Sequence, residues 1–507
     1  SGTRNNHMQD QKNEKKSLSG TLLIGASWSI GIRWTSKALG IISLAICARI
    51  LTPADYGLVS MAMVVVGFSS LLVELGLETS LIRAQNPTAE LYNTAWSMRI
   101  IQRGLIAAIV IIAAPFTAQI YKDERITMIM VAVGLAELIC AFENIYTVNL
   151  RKNLNFKIDF IYMAAPRFAS FLMSVSSVII LESYWGLVIG ICTMELARTI
   201  VSYNIVKERP KWSLAKWNEL FGFSTLYMLR GLGDFISSES DRFILGILGG
   251  PKATGLFSVA KEVASLPVTE IVLPLGRALT PTLAKIASDQ SRLSSAIEKA
   301  LAGTIILAAP VSLGFSLVSS EFVELLFGQK WIEAIPILKL LCLGGIAYAI
   351  KETASNAMMI CNKIHLATSL SWLNATLIVA LFYPSFINYG TMGVAWLIIC
   401  TGALTSIISI AMLSIAKIIN LKKSCLDLSR PILSAILMYV VVNLTIINTI
   451  YNIPVTLFIK TVLGAAAYLT SLFALWLIAG RPDSSEKILV TNLRDKIFGT
   501  KKLPSNI

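Results

Sequence analysis

Two pairs of charged residues lie inside long apolar stretches, where an ionised side chain is costly. Arg33 and Lys37 are four residues apart, as are Arg230 and Asp234, so each pair lies on one face of a helix. A charge at mid-bilayer costs about 2.5 to 3.5 kcal/mol, and these residues therefore require a partner or a function. Arginine binds phosphate oxygens in a bidentate manner, and lysine supplies a compact positive charge. The surplus of positive charge predicts a phosphate or pyrophosphate site formed by Arg33, Lys37 and Arg230.

Other charged residues in the apolar stretches have two interpretations. They could line the same cavity, where an acid would carry a coupling H+ or Na+, or they could pair between helices and serve the fold alone. For Arg99 and Arg103 the structural alternative is an ion pair with Glu74 or Glu137. In the tenth span Lys351 could snorkel from the end of its helix, and Glu352 comes under the same structural alternative. The candidate cavity or coupling residues are Asp234, Glu74, Glu78, Arg99, Arg103, Lys261, Glu270 and Arg277.

The elements that must position these charges are membrane-spanning helices. Hydrophobic residues make up 55% of the chain and charged residues only 15%, a composition typical of membrane proteins. Crossing the hydrocarbon core takes about 20 apolar residues, and only helices or closed barrels satisfy the backbone there. The sequence predicts an all-α integral membrane protein with fourteen spans, at residues 20–50, 56–82, 92–120, 126–150, 158–181, 184–206, 219–248, 253–283, 296–320, 333–361, 364–387, 391–416, 429–451 and 455–479.

An internal repeat organises the spans. The pattern P-x-x-x-G-L-x-S-x-A occurs at Pro53 and again at Pro251, an offset of 198 residues (251 minus 53). Because each copy follows the first span of a six-span unit, the pattern predicts two parallel six-helix lobes around a central cleft. The predicted domains are a cytoplasmic N-terminal segment at 1–19, of which 1–7 resemble a vector remnant, an N-lobe of helices 1–6 at 20–206, an amphipathic inter-lobe connector at 207–218, a C-lobe of helices 7–12 at 219–416, helices 13–14 at 417–480 and a basic cytoplasmic tail at 481–507.

The distribution of charge predicts the topology. The net charge is +14, and the basic residues concentrate in the segments that lie on one side if the N-terminus is inside. This bias follows the positive-inside rule and predicts a bacterial inner-membrane protein with both termini in the cytoplasm. Anionic headgroups account for the excess charge, so nucleic acid is not an expected partner.

The sequence lacks the motifs of several catalytic and metal-binding classes of protein. The chain carries no G-x-x-x-x-G-K-[ST] loop and no H-E-x-x-H, and its seven cysteines form no C-x-x-C pair. No catalytic residues, metal site or cofactor are therefore expected. Proline removes a backbone donor and permits a bend, so the seven-residue spacing of Pro267, Pro274 and Pro281 predicts a hinge in the eighth span.

The segment Ala48-Arg-Ile-Leu-Thr-Pro-Ala-Asp-Tyr-Gly57, followed by Glu74-Leu-Gly-Leu-Glu78 and Leu81-Ile-Arg83, resembles the N-terminal part of Wzx-type polysaccharide flippases. These belong to the multidrug/oligosaccharidyl-lipid/polysaccharide exporter superfamily, and the chain is most similar to its lipopolysaccharide and exopolysaccharide branch. The resemblance implies a cleft lined by spans one, two, seven and eight, and movement of undecaprenyl-pyrophosphate-linked oligosaccharide to the periplasmic leaflet. Spans thirteen and fourteen are similar to a pair in the lipid II flippases that borders a groove for the lipid tail.

The resemblance also implies a monomer that works beside a polysaccharide polymerase and export machinery. An inside-negative potential of 100 mV favours outward movement of each negative charge by about 2.3 kcal/mol, so coupling to the membrane potential, H+ or Na+ would suffice without ATP. Two alternatives stay open at this point. One is a cation-coupled drug or metabolite antiporter of the same superfamily, and the other is a membrane glycan polymerase or ligase.

Overall fold

The computed structural model describes residues 28, 31, 34–73, 77–84, 87–153, 155–220, 225–286, 289–445, 452–482 and 485–487. Within these ranges the regular secondary structure is helical and contains no β-strand, because apolar segments in lipid must satisfy every backbone polar group internally. The all-α class predicted from the sequence is confirmed. By the density of its internal contacts the chain divides into two compact units, Ser1–Phe223 and Ser224–Ile507. The C-lobe predicted from the sequence begins at residue 219, and the predicted domain limits stay a prediction.

The first unit contains nine described α-helices. They are α1 (34–50), α2 (Pro53–Val73), α3 (Leu77–Arg83), α4 (Ala89–Tyr121), α5 (Arg125–Ala141), α6 (Val148–Lys152), α7 (Phe156–Leu181), α8 (Trp185–Ile205) and α9 (Trp217–Leu220). Helix α4 carries both Arg99 and Arg103. The second unit contains α10 (Thr225–Lys285), α11 (Gln290–Leu326), α12 (Ala334–Ile360), α13 (Ile364–Ile415), α14 (Leu421–Leu444) and α15 (Ile453–Ile478).

Two glycines interrupt the longest helices. Gly250 in α10 has φ 69° and Gly390 in α13 has φ 59°, a region of backbone space that favours glycine because it has no Cβ. Each break lies in a gap between predicted spans, at 249–252 and at 388–390, so α10 and α13 each comprise two helical segments. In the described residues ten helices are long and apolar enough to cross a membrane, with α10 and α13 each counted once. The total of fourteen spans stays a prediction.

Two helices differ from the limits of the predicted spans. The fourth predicted span runs to residue 150, but α5 ends at Ala141 and the chain bends by 70° before the next helical segment. Asn144 sets this bend, because its side chain accepts a hydrogen bond from the Tyr146 backbone N–H at 3.1 Å and starts a new helical turn. Helix α14 begins at Leu421, eight residues before the predicted thirteenth span (429 minus 421), and the Asn420 side chain caps it.

The connector between the two units is held against the first unit by its backbone. The Lys211 N–H donates to Asn93 Oδ1 at 2.9 Å, and the Ser213 N–H donates to Ser97 Oγ at 2.9 Å. Residues 206–214 form no helix, while Trp212 and Trp217 are exposed. An extended strap with exposed tryptophans suits the headgroup region of a bilayer.

Helices α14 and α15 pack on α11. The Tyr468 hydroxyl donates to the Ile306 carbonyl oxygen at 2.8 Å, and Met438 and Leu472 belong to the same buried cluster. Ion pairs reinforce the contact near both ends of α11. Lys460 Nζ of α15 lies 2.6 Å from Glu321 Oε1, and Lys423 Nζ of α14 lies 2.7 Å from Glu298 Oε2.

The chain beyond α15 returns to this contact. Glu486 is buried and accepts a hydrogen bond from Arg430 Nε at 2.8 Å, while Arg430 Nη2 donates to Asp427 at 2.8 Å. The Ser485 hydroxyl donates to the Lys299 carbonyl oxygen of α11 at 2.7 Å. The last described residues therefore fasten α14 to α11.

The pair formed by Lys460 and Glu321 gives the first testable prediction. Both side chains are about one-tenth exposed, so Lys460→Met would strand a buried carboxylate and destabilise the fold by about 3 to 5 kcal/mol. We expect a lower Tm in detergent micelles, with recovery in the double variant Lys460→Met/Glu321→Leu. The control is Lys252→Met, which removes an exposed pair with Glu333 and should leave Tm unchanged. Equal Tm values for Lys460→Met and Lys252→Met would contradict this assignment.

Candidate transport site

A cavity of about 490 Å³ lies within the second unit. Its wall is formed by both segments of α10, by α12 and by both segments of α13. Small residues leave the space open, since Gly344, Ala347 and Gly402 stand where larger side chains would fill it. The polar and aromatic residues that line it are Asp234, Phe235, Ser237, Ser238, Lys261, Ser265, Thr269, Tyr348, Lys351, Glu352 and Asn374.

Asp234 and Arg230 form one ion pair at the edge of the cavity. Arg230 Nε lies 3.3 Å from Asp234 Oδ2, as expected for residues four apart on one helical face. Asp234 also accepts a hydrogen bond from the Ser371 hydroxyl of α13 at 2.6 Å, and the Arg230 guanidinium contacts the Met359 sulfur of α12. Part of the positive charge of Arg230 is therefore neutralised on its own helix.

Lys261 is paired as well. Its Nζ contacts the carboxylate of Asp241, which is 1% exposed, and the backbone carbonyl oxygen of Ser238. Both partners lie on the first segment of α10, whereas Lys261 lies on the second. The pair thus fastens the two segments together across the Gly250 break.

Among the polar groups at the cavity, Lys351 Nζ and Asn374 Oδ1 have no bonded partner in the described part of the chain. Lys351 makes no hydrogen bond or ion pair there, although it interacts electrostatically with Asp234 and Glu352. Asn374 is 6% exposed, and its Oδ1 accepts no hydrogen bond. Buried polar atoms without partners are uncommon in folded proteins and mark places that water or a ligand completes.

In the first unit, Arg99 and Arg103 are paired with glutamates. Arg99 contacts Glu143, which also accepts a hydrogen bond from the Tyr162 hydroxyl, and Arg103 contacts Glu137. Glu143 is 1% exposed and Arg99 is 7% exposed. The structure therefore places both arginines in the structural alternative, with Glu137 as weighed for Arg103 and with Glu143 as an unforeseen partner for Arg99.

Glu78 extends this network toward a second arginine. Its carboxylate lies 3.5 Å from Arg99 Nη1 and 3.3 Å from Arg151 Nη1. Arg151 also lies 3.4 Å from Asp159. The network joins α3, α4, α6 and α7, and each of its described cations faces at least one carboxylate.

The other predicted site residues are more scattered. Arg33 and Glu74 lie outside the described residues, as do the side chains of Arg277, Pro267 and Pro281. Lys37 is half-buried on α1, and Glu270 and Pro274 are half-buried on α10. The backbone of α10 is helical through all three prolines, and the non-helical residue within it is Gly250. The hinge role of the prolines stays a prediction.

Sequence reasoning missed the contribution of α12 and α13 to the cavity. Lys351 and Glu352 were left open between the cavity and a structural role, and Asn374 and Tyr348 were not considered. The available signal was a pair of charged residues in the middle of an apolar span, together with an amide in the next one. Among the described residues no group of three or more His, Cys, Asp or Glu side chains could hold a metal ion.

Long apolar helices that enclose a charged cavity define a multi-pass membrane protein with the architecture of a transporter. Residues 46–336 match the family described as Polysaccharide biosynthesis protein, and the chain belongs to that family. The chain is 22% identical to the lipopolysaccharide biosynthesis protein WzxC of Escherichia coli over 385 residues, covering 74% of this chain and 76% of WzxC. It is 21% identical to the teichuronic acid biosynthesis protein TuaB of Bacillus subtilis, covering 93% and 98%.

The fold is shared with a solved transporter. The structure of the lipid II flippase MurJ in an inward closed conformation aligns with a TM-score of 0.69 at 15% identity, covering 90% of this chain and 100% of MurJ. At this identity the likeness shows the fold alone. The resemblance to Wzx-type flippases is confirmed, and the comparisons support a transport protein of polysaccharide biosynthesis and not an enzyme.

Adjacent glycines in the cavity wall give the second prediction. A Cβ at Gly345 would lie 2.6 Å from Ser312 Oγ and from Val268 Cγ2, whereas a Cβ at Gly344 would meet its nearest neighbour, Ile399, at 3.8 Å. Gly345→Ala should destabilise the fold by about 1 to 3 kcal/mol through overpacking. Gly344→Ala should leave Tm unchanged or slightly raised. The packing described for α12 would be contradicted if Gly344→Ala were the more damaging of the two.

Proposed function

We propose that the protein is a flippase that moves undecaprenyl-pyrophosphate-linked oligosaccharide from the cytoplasmic to the periplasmic leaflet of a bacterial inner membrane. The observation that carries this proposal is the charged cavity inside membrane-spanning helices of a chain that belongs to the polysaccharide biosynthesis family. Relatives that bear names of lipopolysaccharide and teichuronic acid biosynthesis, and a neighbour named as a lipid II flippase, support the same substrate class.

Arg33, Lys37 and Arg230 would hold the pyrophosphate. Arg230 faces Asp234 through its Nε, so other N–H groups of the guanidinium would be left to donate to an anion. An inside-negative potential would favour outward movement of the bound phosphates. The two parallel six-helix lobes would expose the central cleft alternately to each side.

Acidic residues in the cavity favour a transport mechanism in which a coupling ion also supplies driving force. Asp234 and Glu352 both line the space where a proton or Na+ could bind beside the substrate. An antiporter that exchanges cations for drugs would use the same carboxylates. A surplus of cations among the predicted binding residues favours the anionic lipid instead.

The pyrophosphate assignment is tested in proteoliposomes. We expect Lys37→Gln and Arg230→Gln each to slow flipping of a fluorescent undecaprenyl-pyrophosphate-linked oligosaccharide by about ten-fold, because each removes a charge-assisted hydrogen bond. Lys252→Gln, which removes an exposed cation, serves as the matched control. Normal flipping by the double variant Lys37→Gln/Arg230→Gln would refute the assignment. Absence of flipping by the unaltered protein would refute the function.

The orientation of the protein is tested by cysteine labelling. Cys425 is exposed in the first turns of α14, which would face the cytoplasm if both termini are cytoplasmic. A variant that keeps Cys425 while the other six cysteines are changed to alanine should react with a membrane-impermeant maleimide in inside-out vesicles. Reaction in intact spheroplasts instead would reverse the topology.

A further inference from the structure

We propose that the cavity in the second unit binds sugar residues of the transported glycan, while the pyrophosphate lies outside it, against the cations proposed above. This inference rests on the proposed function and assigns the part of the substrate that this cavity recognises. We call the cavity formed by α10, α12 and α13 the sugar seat; the side chains that define it are Ser237, Ser265, Thr269, Tyr348, Lys351 and Asn374.

The charge of the sugar seat is balanced. Lys261 and Lys351 line it, and so do Asp234 and Glu352. Lys261 pairs with Asp241, and Lys351 interacts electrostatically with Asp234 and with its chain neighbour Glu352. A pyrophosphate would need unneutralised positive charge in a low-dielectric space. A ligand without net charge, rich in hydroxyl groups, meets no such penalty.

Hydrogen-bonding groups around the seat suit hydroxyl ligands. The Ser265 hydroxyl donates to the Glu262 carbonyl oxygen at 2.8 Å, and the Thr269 hydroxyl donates to the Ser265 carbonyl oxygen at 2.9 Å. Because each hydroxyl donates its hydrogen bond to a carbonyl oxygen of its own helix, the lone pairs of its oxygen stay available to accept other hydrogen bonds. Sugar hydroxyls can donate to these oxygens and to Asn374 Oδ1, and they can accept from Lys351 Nζ.

The shape and size of the seat also fit sugar residues. Its volume of about 490 Å³ falls within the range of about 300 to 1,000 Å³ found for small-ligand sites, enough for one or two pyranose rings. Tyr348 and Phe235 offer rings on which the apolar C–H face of a pyranose can pack. Ser238 and Ser265 are exposed, so the seat opens at the surface of the unit and a longer glycan can extend from it.

A pair of matched serines provides the test. Ser265 and Ser369 are both exposed, and both bond to a backbone carbonyl oxygen of their own helix, but Ser265 lines the seat and Ser369 is not among its lining residues. In proteoliposomes we compare flipping of undecaprenyl pyrophosphate with flipping of an undecaprenyl-pyrophosphate-linked tetrasaccharide of neutral hexoses. Ser265→Leu should lower flipping of the tetrasaccharide lipid about ten-fold while the bare lipid is unaffected, because the leucine side chain occupies part of the seat. Ser369→Leu should resemble the unaltered protein with both lipids.

A second variant separates ligand binding from folding. Asn374→Leu removes a buried oxygen that has no partner, so Tm should stay level or rise. Flipping of the tetrasaccharide lipid should nevertheless fall about ten-fold, which a merely structural asparagine would not produce.

Three results would overturn parts of this account in distinguishable ways. Equal flipping of the tetrasaccharide lipid by Ser265→Leu and Ser369→Leu would overturn the sugar seat. The sugar seat would also be overturned if Ser265→Leu and Asn374→Leu abolished flipping of both lipids with Tm unchanged. A sugar site should affect flipping of the sugar-bearing lipid alone. Failure of the unaltered protein to flip the tetrasaccharide lipid would instead refute the proposed function.

Discussion

The cost of placing a charge in hydrocarbon governs this structure. An ionised side chain without a partner at mid-bilayer would lose about 2.5 to 3.5 kcal/mol, and the described arginines and lysines within the helices meet this cost largely by pairing. Arg99 pairs with Glu143, Lys261 with Asp241 and Lys460 with Glu321. Several of these pairs join different helices, so they also fix how the helices pack. Lys351 and Asn374 are exceptions. Lys351 Nζ and Asn374 Oδ1 line the cavity of the second unit and have no hydrogen-bond or ion-pair partner among the described residues.

Backbone geometry and side-chain size determine where that cavity lies. The glycine breaks at Gly250 and Gly390 turn α10 and α13 back on themselves, so each contributes two segments to the wall. Gly345 lets α12 approach its neighbours closely, while Gly344 and Gly402 keep the interior open. The ion pair between Lys261 and Asp241 then ties the two segments of α10. Polar groups from three helices thereby converge on one cavity. A surface that faces lipid could not accommodate these polar groups.

Sequence patterns predicted much of this, and their failures have physical reasons. Apolar length located the helices and the gaps that hold Gly250 and Gly390, and charge complementarity anticipated the contact between Arg103 and Glu137. The end of α5 was missed because Ile145 and Val148 continue the apolar run, while the single side-chain cap at Asn144 redirects the chain. The partner of Arg99 was missed for the same reason, since the bend turns Glu143 inward. Lys351 and Asn374 could not be placed together from sequence, because their proximity depends on how α12 and α13 pack.

The central claim is that the protein moves a negatively charged lipid-linked glycan outward through these helices. The most direct measurement is the rate at which the unaltered protein, in proteoliposomes, flips an undecaprenyl-pyrophosphate-linked oligosaccharide under an imposed potential. Each negative charge that crosses gains about 2.3 kcal/mol per 100 mV, so the account predicts faster outward flipping when the interior is made negative. A rate that shows no response to the potential, or that falls as the interior becomes negative, would contradict it.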